Sequence, residues 1–123
     1  MKSSILAIVL LFAAPAYSHA ALVKPESAEG KRIVHKVAGQ ISKAFVNQTD
    51  FLVERRGDAL DCESTKAAIL KEIDRLDVKK NADLVDAKGA LERANCNDKD
   101  FNDRKFHDHL FTATVYLRSA DSL

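Results

Sequence analysis

Between Ser27 and Leu52 the apolar residues Ile33, Val34, Val37, Ile41, Ala44, Phe45 and Leu52 recur mostly at three- and four-residue steps. That period is the mark of an amphipathic helix with one face turned to a core. Ser27 supplies an N-cap hydroxyl, and Thr49 and Asp50 are the point at which the helix is open to ending early. Gly57 closes the segment, with Arg55 and Arg56 suited to the negative end of the helix dipole. A second helix is predicted over about 61–77, where Cys62, Ile69, Leu70, Ile73 and Leu76 share a face and Asp58, Asp61 and Glu63 make the start acidic. Val78 to Asn81 reads as a polar turn.

A third helix, over about 82–95, aligns Leu84, Val85, Lys88, Leu91 and Asn95. It is the weakest of the set, since Gly89 inside it costs about 1 kcal/mol relative to Ala. After a break at Asn95 to Asp98, Phe106, Leu110, Ala113 and Leu117 follow at steps of four, three and four, with Phe101 near the start. Thr112 to Leu117 is β-branched and aromatic enough to read as a strand, but a lone strand has nothing to pair with. The pattern predicts an all-α fold, a small bundle of about four helices.

The segment ahead of this bundle is of another kind. Lys2, the apolar run Ile5 to Ala14, Pro15 and the small residues Ala16, Ser18 and Ala20 have the layout of an export signal. Cleavage after Ala20 makes 1–20 a signal peptide and 21–123 a single helical domain; cleavage after Ser18 is the competitor and leaves His19 first. Removal of 1–20 takes away Lys2 alone, so 19 basic residues become 18 against 18 acidic ones. A neutral chain with interleaved charges has no field to gather nucleic acid or anionic lipid. Nor does any later stretch have the length and apolarity of a membrane span.

Cys62 opens the predicted second helix and Cys96 ends the third. In an antiparallel hairpin those positions meet at one end, within the roughly 7 Å that a disulfide tolerates between Cα atoms. The pair encloses 34 residues of separation, for which the chain-entropy model gives roughly 3–4 kcal/mol. A redox or metal pair is the rival reading, against which stand the absence of a C-x-x-C and of a neighbouring histidine cluster. A formed bond leaves no thiolate for nucleophilic chemistry.

The stretch Cys62-Glu63-Ser64-Thr65-Lys66, then Ile69, Ile73 and Asn81, then Gly89 through Asp98 with its Asn95-Cys96 pair, resembles the YqjC-like family of small exported bacterial proteins. Phe101, Arg104 and Lys105 continue the pattern, so the likeness covers about residues 61–105. It implies a disulfide-linked helical hairpin in a bacterial periplasm and brings no catalytic residue with it. Separately, His19 to Gly30 is similar to the start of mature CopC-like periplasmic copper carriers, in which an N-terminal histidine binds copper through its amine and ring. That likeness stops near Gly30, where those carriers are β-sandwiches and the residues here take helical period.

Other chemistry is sparse. His107 and His109 are two apart, a spacing that turns helical side chains in different directions, and His35 meets them only if the fold brings it there. Glu72 with Asp74, Asp98 with Asp100 and Asp103 with Asp108 are carboxylate pairs that solvated helix faces explain. Ser64 and Thr65 lie where hydroxyls cap helices, and there is neither a nucleophile elbow nor a glycine-rich phosphate loop. No cofactor is implied. The expectation is a non-enzymatic exported protein working through protein contacts in the periplasm, such as an envelope accessory protein, a toxin-immunity factor or an acid-stress chaperone. The alternative is a copper, other metal or small-ligand carrier drawing on His19, His35, His107 and His109. Phe45, Phe51, Phe101, Phe106 and Phe111 either all fill the core or partly face a partner or a second copy.

Overall fold

The computed structural model describes residues 22–122. It contains α1 (Ala28–Leu52), α2 (Cys62–Ile73), α3 (Ala82–Glu92) and α4 (Asp103–Asp121). Each helix runs antiparallel to the one before it, and α4 returns to lie beside α1, closing a four-helix ring. The most extensive packing is that of α4, on α1 to one side and α3 to the other, while α2 and α3 touch least. One end of the bundle gathers the C-terminus of α1, the starts of α2 and α4 and the disulfide; the other holds the N-terminal arm.

All four helices start alike. Ser27, Asp61, Asn81 and Asn102 each accept the backbone N–H three residues on, from Gly30, Ser64, Leu84 and Lys105, at 3.0, 2.9, 3.1 and 2.9 Å. Each cap satisfies one of the amides that a helix N-terminus leaves free. Helix α1 passes through Thr49 and Asp50 unbroken, with the Thr49 hydroxyl folded back onto the Phe45 carbonyl at 2.8 Å. It ends at Leu52, so Arg55 and Arg56 lie in the following loop and not in the last helical turn. Arg55 and Gly57 both take positive φ, 59° and 73°, and turn the chain there.

The two short helices end sooner than their periodicity suggests. Past Ile73, Arg75 and Leu76 make tighter bonds to the carbonyls of Glu72 and Ile73. The backbone of 75–77 is then taken by the arm: Val23 N–H donates to Arg75 O and Asp77 N–H to Val23 O, each at 2.8 Å. Gly30 sits under this arm, and a Cβ there would run into the Lys24 carbonyl oxygen. Past Glu92, the Lys66 ammonium of α2 donates to the carbonyls of Glu92 and Ala94 at 3.4 and 2.9 Å, capping the C-terminus of α3 from across the hairpin.

The core is made by Ile33, Val37 and Ile41 of α1, Ile69 and Ile73 of α2, Leu84, Ala87 and Leu91 of α3, and Phe106, Leu110, Ala113 and Leu117 of α4. On α3 the buried face is therefore Leu84, Ala87, Ala90 and Leu91. Val85 is 44% exposed, Asn95 is exposed beyond the helix, and Lys88 reaches out to Asp74 at 3.0 Å. Two alanines on the inner side let α3 approach α4 closely, and that approach decides the face where an eleven-residue pattern with valine on one flank does not.

One polar side chain is fully buried among the described residues, Gln48. Its Nε2 donates to the Asp103 carbonyl at 3.1 Å and its Oε1 accepts the Leu60 N–H at 3.2 Å, joining α1, the 53–61 loop and the start of α4. Replacing Gln48 with leucine strips both partners, and the expected loss of stability is about 1–3 kcal/mol in urea unfolding, with faster exchange of the Leu60 amide. Replacing Cys62 and Cys96 together with serine is expected to cost about 3 kcal/mol. Hydrogen exchange is expected to show α2 loosening before α1, since α2 has the fewer buried side chains to hold it.

Candidate interaction surface and the placement of chemical groups

Cys62 is the first residue of α2, and Cys96 lies in the segment after α3, four positions beyond Glu92. The two are disulfide-bonded with Cα atoms 5.8 Å apart, and no free cysteine accompanies them. Cys62 and Lys66 stand one turn apart on α2, so one face of that helix grips the same segment twice, once covalently and once through an ammonium.

The histidines are kept apart. His35 Nδ1 lies 3.2 Å from Asp121, tying the arm-side half of α1 to the end of α4. His109 turns towards Phe101, with ring centroids 6.0 Å apart. His107 is 20% exposed, stacks on Phe45 at 4.8 Å and places Nε2 2.8 Å from the Thr49 hydroxyl. His19 lies outside the described residues, as does the whole 1–20 segment read as an export signal from the sequence. Among the described residues no three His, Cys, Asp or Glu side chains converge on a point where a metal ion would sit.

Thr49, His107 and Asp108 form a chain of hydroxyl, imidazole and carboxylate in the order a nucleophilic triad uses. The contacts give it a different role. Thr49 Oγ1 lies 2.8 Å from Phe45 O of its own helix and 2.8 Å from His107 Nε2, so this hydroxyl bridges α1 to α4. The Asp108 contact is long, at 3.7 Å, and its carboxylate is 72% exposed. What the chain does is pin α4 to α1 at a half-buried seam.

Four of the six paired carboxylates are committed. Glu72 holds Arg75 at 3.0 Å and Lys36 at 3.4 Å, and Asp74 holds Lys88. Asp98 accepts the Asp100 N–H, and Asp103 faces Gln48. The Arg75 guanidinium and then Lys36 keep the Glu72 carboxyl below its ordinary 4.5. Asp61 is lowered by the Ser64 amide that it caps. At the arm end a cleft of about 230 Å³ is lined by Pro25, Glu26, Lys31, Val34, Asn81 and Ala120. Asp77 Oδ1 is buried without a partner on the wall of a smaller recess beside it, of about 180 Å³.

Among the described residues, α4 carries an exposed apolar stretch. Phe111 and Val115 stand one turn apart on α4 and are 53% and 50% exposed. Phe111 leans on the half-buried Phe45 of α1 at 5.7 Å between ring centroids, and Val46, the next residue, is also exposed. Of the five phenylalanines among the described residues, then, Phe106 is core, Phe111 faces outward and Phe45, Phe51 and Phe101 are half-buried. Phe106 stands on the apolar stripe of α4 with Leu110, Ala113 and Leu117, whereas Phe111 stands off that stripe. A signal for Gln48 did exist: a glutamine stands on the apolar stripe at the step of four after Ala44.

Because Glu72 has a lowered value in the folded state, its contribution is complete above the ordinary carboxylate range and is lost as pH falls through the folded value. Glu72→Gln is therefore expected to be less stable than the parent at pH 7, with the gap between their urea midpoints closing below about pH 4. A gap that is constant with pH would refute the assignment. Comparison with protein-family models, with curated proteins and with solved structures finds no match to this chain.

Proposed function

We propose that this chain is an exported, non-enzymatic helical protein of the periplasm that works by docking a protein partner on its α1–α4 face. The observation that carries the reading is the pair Phe111 and Val115, half exposed at successive turns of the helix whose other side makes the centre of the core. An exposed apolar stretch on a small bundle is a cost unless something covers it. Export is supported by the signal-like start, by the formed disulfide, which belongs to oxidising compartments, and by the resemblance of residues 61–105 to exported bacterial proteins. No helix among the described residues is long and apolar enough to cross a membrane.

A photo-crosslinking residue placed at Phe111, and as a control at the exposed Lys71 of α2, reads the proposal in the exporting cell. Lys71 belongs to the helix diagonally across the ring from α4. Discrete adducts are expected from position 111 and not from 71. Equal labelling from both positions, or none from 111, would overturn the docking face.

A further inference from the structure

Four exposed residues of α4, Asp108, Phe111, Val115 and Arg118, follow one another at steps of three, four and three. That spacing keeps them on a single ridge of the helix. They are also symmetric in sequence about position 113. Phe111 and Val115 lie two residues to either side of it, and Asp108 and Arg118 five residues to either side. If two such helices lie antiparallel about a two-fold axis at that level, Phe111 of each meets Val115 of the other. Asp108 of each then meets Arg118 of the other.

We infer that the partner of the α1–α4 face is a second copy of this chain, paired through α4 in this antiparallel register. The inference rests on the docking-face reading and specifies its occupant. Charge complementarity supports it. Arg118 makes no ion pair among the described residues, and Asp108 has only the long His107 contact. An isologous contact needs one patch to complement itself, with residue i on j and j on i, and this ridge satisfies both its apolar and its charged positions that way.

The size of the face sets the strength. The 19 residues of α4 span about 28 Å, and two helices side by side about 20 Å, giving roughly 550 Å² per copy. That falls short of the ~800 Å² per partner of a standard stable interface, so a weak dimer in the micromolar range or above is expected.

Sedimentation equilibrium of the mature, oxidised protein, from about 1 µM to about 1 mM, tests the inference. A monomer–dimer equilibrium is expected, weakened about tenfold or more by Val115→Asp and by Arg118→Asp, each checked for unchanged helix content. The exchange Asp108→Arg with Arg118→Asp is expected to restore affinity to within about threefold of the parent. Val115 is the primary apolar variant, because Phe111 also supports Phe45. A strict monomer over the whole range, a dimer indifferent to Val115→Asp, or a charge exchange no better than Arg118→Asp alone would each overturn the self-pairing. Crosslinks from position 111 to a different protein would likewise overturn the self-pairing while leaving the docking face standing.

Discussion

The stripe Phe106, Leu110, Ala113 and Leu117 of α4 packs against α1 on one side and α3 on the other, and the remaining elements take their places from that contact. Helices of 12 and 11 residues, the lengths of α2 and α3, are marginal in water by themselves. They persist because burial against longer neighbours offsets the cost of ordering them. Helix α3 gains this directly from α4 through Leu84, Ala87 and Leu91. Helix α2 has only Ile69 and Ile73 fully in the core, so it depends more on tethers than on area.

Those tethers sit at the two ends and differ in kind. At one end a disulfide, the Lys66 cap and the Gln48 amide tie α2, the segment after α3 and the start of α4 to α1. Two of the three are polar and gain strength from partial burial, where losing a partner costs more than the bond itself contributes. At the other end the arm is pinned by backbone pairing of Val23 with 75–77 and by the Ser27 turn over Gly30, which works only because that residue lacks a side chain. Between the ends, His107 on Phe45 and His35 with Asp121 lace the open seam of the dominant helix pair.

How much of this was legible in the sequence follows from the length of each element. In α1 and α4 the apolar period repeats through several turns, so their existence and faces follow from local pattern alone, as does the Ser27 cap of α1. In α3 three turns with alanine on one flank and valine on the other do not fix a face, and the close approach of α4 chose the alanines. Helix ends were misplaced where the terminating groups are distant in sequence: Val23 stops α2, and Lys66 closes α3. The cysteine pairing was legible because antiparallel neighbours must share an end. The seam contacts of His107 and Thr49, 58 residues apart, are tertiary and leave no local trace.

Helix α4 is thus asked for two faces, and the division between them decides what kind of recognition is open to this molecule. Leu110, Ala113 and Leu117 sit on the inner side; Phe111 and Val115 are displaced from them by one or two residues, which on a helix is a turn of 100° or more. Without long-range steering from a chain carrying 19 basic and 18 acidic residues, encounter is left to diffusion. Selectivity then has to come from short-range fit, an apolar ridge bracketed by one acid and one base. Such bracketing contributes less to affinity than to register, since a shift of the partner by a helical turn leaves both charges unmatched and keeps only one of the two apolar side chains against an apolar counterpart.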